Sequence, residues 1–181
     1  DVQHLVATAV AELGRIDAML NVAGIADGAL VPDITMEQYD HRFDVDMRGV
    51  VLGMKHAIRA MKDTGGGSIV NWSSVGGLGA SPGTTVYSAA KAGVNAATQV
   101  AAVECARLGI RVNAICPGLI LTEIMGAAGA ARPGMLEKAA MGRAGEPHEV
   151  AELASFLASD RASYITGAVI PVDGGWSARL A

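Results

Sequence analysis

Apolar runs alternate with amphipathic stretches along the 181-residue chain, and their periods separate helices from strands. Val2, Leu5, Val6, Ala9, Val10 and Leu13 recur on one stripe of a 3.6-residue repeat, which predicts a helix from the first residues onward. Residues 16–22 are apolar on both alternating faces, the pattern of a central strand in a parallel sheet covered on both sides. Thr35-Met36-Glu37-Gln38 has capping-box spacing and opens a long helical segment to about Met61. Its stripe through Phe43, Met47, Val50, Val51, Met54 and Ala57 is assigned to the core. Residues 68–74 read as a buried strand ending in serines, 76–83 as a flexible glycine-rich loop, and 87–108 as a helix. A strand over 110–116 stops at Pro117-Gly118, and Glu146-Pro147 starts a helix to about Leu157, with the proline where its missing N–H costs little. Strand and helix alternate throughout, so the expected class is α/β, one domain over residues 1–181.

Composition narrows the function classes. With 51% hydrophobic and 18% charged residues the chain can build a core. A net charge of −4 without a Lys/Arg run argues against nucleic-acid and membrane-surface partners. No stretch matches a signal peptide or is long and apolar enough to span a bilayer. Cys105, within a helix, and Cys116, at a strand end, form no Cys-x-x-Cys and read as buried free thiols in a reducing cytoplasm. His4, His41, His56 and His148 share no ligand spacing, so neither a metal site nor a histidine base is expected.

Candidate chemistry gathers between Ser74 and Lys91. Tyr87 and Lys91 are four residues apart, which puts a phenol and an amine one turn apart on the same helical face. A free phenol titrates near pH 10, so it shuttles protons poorly at neutral pH unless a cation favours its phenolate. Ser74, at the end of the preceding strand, carries a hydroxyl able to hold a carbonyl or alcohol oxygen against that phenol. Strand ends are where ligands bind in open α/β sheets.

At these residues the sequence resembles the short-chain dehydrogenase/reductase family, in particular its bacterial alcohol dehydrogenases, hydroxysteroid dehydrogenases and 3-oxoacyl-carrier-protein reductases. Ser74 lies thirteen residues before Tyr87, as the family's serine does, and is preferred over Ser73 on that ground. Asn21-Val22-Ala23-Gly24 is similar to an Asn-Asn-Ala-Gly element, residues 117–122 to the Pro-Gly turn and threonine on the cofactor's nicotinamide side, and residues 172–176 to the last strand and its exit. The resemblance implies a Rossmann-like doubly wound parallel sheet in three α/β/α layers. It implies reversible hydride transfer between NAD or NADP and an alcohol or ketone, with Tyr87 as proton carrier, Ser74 as orienter and Lys91 tuning the phenol and binding the nicotinamide ribose. Asn21, Ala23, Gly24, Pro117, Gly118, Ile120 and Thr122 would line the rest of the nicotinamide half. Asn21 keeps a second reading, as a turn residue.

The resemblance also marks departures. The chain opens at Asp1, in what the family would place mid-fold, without the first strand and Gly-rich turn that receive a pyrophosphate, so an N-terminally truncated fragment is expected, with the 16–22 strand losing its neighbour on one edge. Asp46 stands where the family usually has asparagine on a distorted helix. If its main chain does the work a proton relay survives. If its side chain matters, a carboxylate near Lys91 makes the phenolate harder to form and raises the activity optimum. Residues 123–145 are similar to a substrate-covering lid, with Met125, Met135, Leu136 and Met141 either facing an apolar substrate or merely packing. The small-residue helix 87–108 implies a homodimer or homotetramer, or else an Ala-rich monomer helix. An alternative of another class is a non-catalytic remnant serving as an oligomerising scaffold.

Overall fold

The computed structural model describes residues 2–25, 27–122 and 134–179. Four parallel strands, β1 (Ala18–Asn21), β2 (Gly67–Trp72), β3 (Ile110–Pro117) and β4 (Val169–Val172), lie in the order β1-β2-β3-β4. The registers Asn21↔Asn71, Trp72↔Ile115 and Pro117↔Val172 bring the C-terminal strand ends to one side of the sheet. The described α-helices are α1 (Val2–Leu13), α2 (Met36–Phe43), α3 (Gly49–Met61), α4 (Thr85–Cys105), α5 (Met135–Lys138) and α6 (Pro147–Ala158).

The alternating side chains of the strands build two cores. Ile69 joins Val50, Met54, Ala57 and Met61 of α3 and Val94, Ala101 and Cys105 of α4 on one face. Its neighbour Val70 points the other way, to Val150, Ala154 and Leu157 of α6. The sheet is therefore sandwiched between α3 and α4 on one side and α6 on the other, the three-layer α/β/α arrangement expected. Leu157 marks where α6 is pinned to the sheet, its carbonyl accepting from Ser68 Oγ at 2.8 Å and Arg111 Nη1 at 2.8 Å.

Several expectations shift. The Thr35 capping box forms, with Gln38 N–H on Thr35 Oγ1 at 3.2 Å and Thr35 N–H on Gln38 Oε1 at 3.1 Å. The long segment it opens is not one regular helix, because a π turn over Asp44–Arg48 separates α2 from α3. Val51 falls outside the core stripe, on an exposed face. As expected for the 16–22 strand, β1 has one edge without a neighbour among the described residues, pairing only with β2, and Leu20 is 41% exposed. In α1 only Val6 is buried, while Leu5 and Leu13 of the predicted stripe face outward. The loop after β2 is partly regular, with a 3-10 turn over Val75–Gly77. No helix among the described residues is long and apolar enough to cross a membrane.

Candidate active site

The catalytic candidates are delivered by the end of β2 and the first turns of α4. Past Trp72 the chain runs through two serines that do different work. Ser73 Oγ donates to the Lys91 carbonyl at 3.0 Å, tying strand end to helix. Ser74 caps the following turn, its Oγ accepting from Gly76 N–H at 3.0 Å, and lines both cavities beside Tyr87. This geometry separates a structural Ser73 from a site-facing Ser74. The glycines that follow let α4 sit directly on the turn. A Cβ on Gly77 would come within 2.7 Å of the Lys91 carbonyl carbon, and one on Gly76 within 3.0 Å of Tyr87 Cε1.

Tyr87 is half-buried and Lys91 is 4% exposed. Lys91 Nζ donates to the Trp72 carbonyl at 3.1 Å, stands 3.7 Å from Asp46 Oδ1 and lies 5.8 Å from the Tyr87 ring centroid. Burial pushes the Tyr87 phenol above its ordinary value; the neighbouring Ser74 hydroxyl and the Arg42 charge pull it down, while the Asp46 charge pushes it up. Burial pushes the Lys91 amine below its ordinary value, and the Asp46 charge opposes that.

Asp46 itself is completely buried in the π turn, where Gly49 N–H reaches back five residues to the Asp44 carbonyl. Such turns add one residue to a helix and recur at functional sites. Asp46 Oδ1 accepts from Ile25 N–H at 3.1 Å, and Oδ2 from Arg42 Nη1 at 3.2 Å. The side chain, not only the main chain, therefore faces Lys91. Arg42, 1% exposed, also donates to the carbonyls of Ile25 and Asp27, pairs with the Asp27 carboxylate, and lies 5.2 Å over the Tyr87 ring. The sequence reading missed Arg42. Its signal was the i, i+4 spacing to Asp46, which on a helix places a guanidinium beside a carboxylate.

Two cavities meet at Tyr87. One, of about 380 Å³, is lined by Val22, Gly24, Ile25, Trp72, Pro117, Ile120, Thr122 and residues of α6, with Lys91 in its wall. The other, of about 460 Å³, is lined by Asp27, the 75–84 loop, Leu119, Met135, Lys138 and Trp176. Ser74, Tyr87 and Gly118 belong to both. Gly118 packs against β4, where a Cβ would fall 2.8 Å from Asp173 Cα. A Cβ on Gly24 would stand 3.0 Å from Asp46 Oδ1 and 3.4 Å from Lys91 Nζ, so the bare glycine keeps the ammonium open to the first cavity. Apolar walls with a cation at their base suit a flat heteroaromatic ring and an attached sugar.

The structure thus brings Ser74, Tyr87, Lys91, Asp46, Gly24, Pro117, Gly118, Ile120 and Thr122 together. Two predicted lining residues stand apart. Asn21 is 9% exposed and points into the core, donating to Asn71 Oδ1 at 2.7 Å, and Asn71 in turn donates to Thr98 Oγ1 at 2.9 Å. Its strand-tying part is present, but it does not line the cavity. Ala23 is exposed beside the cleft and does not line it either. Of the lid expected over 123–145, residues 123–133 with Met125 lie outside the described residues; Met135 lines the second cavity, and Leu136 and Met141 are exposed. Among the described residues no cluster of His, Cys, Asp or Glu could hold a metal.

Comparison with known proteins places this geometry. A family model described as enoyl-(acyl carrier protein) reductase matches residues 1–177. The chain is 42% identical over 179 residues to cis-4-hydroxycyclohexanecarboxylate dehydrogenase of Sinomonas cyclohexanicum, covering 98% of this chain and 72% of that one. A crystal structure of a short-chain dehydrogenase/reductase from Burkholderia xenovorans superposes with TM-score 0.93 at 34% identity, over 99% of this chain and 71% of that one. The protein ElxO with NADP bound gives TM-score 0.92 at 30% identity, over 98% and 74%.

Proposed function

The chain belongs to the short-chain dehydrogenase/reductase family of oxidoreductases, and from that premise we propose that it interconverts a secondary alcohol and a ketone at the junction of its two cavities. The observation that carries the reading is that the Tyr87 phenol, with Ser74, forms a wall common to both cavities. A nicotinamide cofactor, NAD or NADP, supplies or accepts the hydride when bound in the cavity floored by Lys91. Tyr87 gives a proton to the substrate oxygen during reduction and takes it back during oxidation. Ser74 holds that oxygen by its hydroxyl, and Lys91 binds the ribose and stabilises the phenolate as it forms. Gly24, Pro117, Gly118, Ile120 and Thr122 shape the ring's seat, excluding water from one face. The likeness to a protein with NADP bound supports the cofactor class and leaves NAD and NADP both open.

The second cavity, walled by Leu119, Met135 and Trp176, supports a small substrate with an apolar body. The likeness to a dehydrogenase named for a hydroxylated cyclohexane acid supports alicyclic alcohols as the first class to assay. Pairing of two copies through the outer faces of α3 and α4 is supported by exposed Val51, Val100 and Val103, with Ala92 and Ala96 on the same side of α4.

The test is cofactor-linked turnover followed at the nicotinamide absorbance with NADH and NADPH against cyclic ketones. Tyr87→Phe is expected to lose about 10²–10⁴ in kcat, the range for positioned acid–base groups, with cofactor binding retained. Full turnover by the phenylalanine variant overturns the assignment. Failure of the parent chain to bind either cofactor favours the scaffold alternative.

A further inference from the structure

Burying a carboxylate is costly unless a counter-charge and hydrogen bonds meet it. Asp46 is completely buried, and its nearest amine, Lys91, is needed elsewhere if it is to serve Tyr87 and a ribose. The guanidinium of Arg42 fills that gap. It reaches Asp46 Oδ2 at 3.2 Å from one turn earlier and holds the Ile25 and Asp27 carbonyls. Those residues belong to the loop that contributes Gly24 and Ile25 to one cavity and Asp27 to the other. At 5.2 Å from the Tyr87 ring centroid, Arg42 lies nearer the phenol than Lys91 at 5.8 Å. An ordinary surface i, i+4 pair such as Arg48–Asp44, with exposed partners, does none of this.

We propose that Arg42 is a positioning residue of this active site: it cancels the charge of Asp46 and clips Ile25 and Asp27 by their carbonyls, leaving Lys91 free to act on Tyr87. The proposal rests on the reading of Tyr87 as the proton carrier. The groups facing the phenol are Lys91 on α4, Arg42 on α2, Asp46 in the π turn, and Ser74 and Cys116 at the strand ends. Removing Arg42 alone leaves Asp46 uncancelled, drawing Lys91 to itself and opposing the phenolate. Removing the Asp46 charge alone leaves two cations near the ring. Removing both takes away one buried charge of each sign beside the ring and leaves only the half-exposed Asp27 without its partner, and a carboxamide at 46 still accepts from the Ile25 N–H.

The experiment is the pH titration of tyrosinate absorbance in the parent, Arg42→Met, Asp46→Asn and the double variant. Each is paired with its Tyr87→Phe counterpart to subtract the other two tyrosines, and far-UV circular dichroism at every pH certifies the fold. The expected result is an upward shift of the Tyr87 midpoint in Arg42→Met, a downward shift in Asp46→Asn, and a double variant between them. An unmoved midpoint in Arg42→Met accompanied by a lower Tm assigns Arg42 to packing alone and overturns the proposal, as does a double variant no nearer the parent than Arg42→Met. Should Arg42→Met alone not fold, Asp46→Asn compared with the double variant decides: a midpoint raised by losing Arg42 supports the proposal, and equal midpoints overturn it. The titration needs no turnover, so an inactive chain with these shifts refutes the catalytic reading and not the charge balance.

Discussion

Gly53 lies in the middle of α3, where the usual expectation is that alanine stabilises a helix by about 1 kcal/mol over glycine. Here the reverse is expected. A Cβ on Gly53 would fall 2.7 Å from Asn21 Cγ and 3.0 Å from Asn21 Nδ2, well inside van der Waals contact. Asn21 has nowhere to retreat, because it is buried at the end of β1 with its amide committed to Asn71. Overpacking of this kind costs roughly 1–3 kcal/mol, and unmaking the buried amide pair roughly another 1–3. Set against about 1 kcal/mol of helix propensity, Gly53→Ala is destabilising by about 3 kcal/mol, which for a chain of this size lowers Tm by about 6–12 °C. Thermal unfolding followed by circular dichroism reads the shift. Because the two residues touch, Asn21→Ala/Gly53→Ala should be less destabilised than the sum of the single changes. A Tm unchanged or raised in Gly53→Ala would refute the close approach of α3 to β1, and with it the account of how the strand end bearing Gly24 is held.

Three further outcomes are expected. Gly76→Ala sets a methyl 3.0 Å from Tyr87 Cε1 and should displace the phenol, lowering kcat more than it raises KM in the linked turnover assay. Ser68→Ala removes a buried donor to the Leu157 carbonyl, which Arg111 continues to satisfy, so the cost in urea unfolding is about 1 kcal/mol and not the larger penalty of an orphaned group. The bidentate Arg143 contact and the Glu146 N–H hold the Glu149 carboxyl down at about 2. A depressed carboxyl stabilises above its unfolded value and loses that contribution as pH falls from the usual glutamate range towards 2. The Tm gap between the parent and Glu149→Gln should therefore narrow between pH 6 and pH 3, and a gap that widens on acidification would contradict the sign.

The order of strands and helices was legible because buried parallel strands and amphipathic helices write distinct periods. Tyr87 and Lys91 were legible as neighbours on one helical turn, whereas Ser74 was told from Ser73 only by the spacing that the family resemblance supplied. What escaped depends on contacts distant in sequence. Burial of Arg42 needs the carbonyls of Ile25 and Asp27 brought to α2, and no local period encodes that return. Asn21 was drawn toward the cleft by motif likeness, whereas Asn71 on β2 claims its amide and is itself held by Thr98 on α4.

The π turn at Asp44–Arg48 gives chain length a role that composition cannot take over. One surplus residue there lets Arg42 and Asp46 face inward while Val50, Met54 and Ala57 still meet the sheet. Deleting Val45 would let the backbone relax into an unbroken α-helix and rotate whatever lies on one side of the cut by about 100°, the angle of a single residue. Either the core stripe or the charged pair would then turn away, with every remaining side chain chemically intact. A one-residue deletion is thus a sharper lesion here than most substitutions.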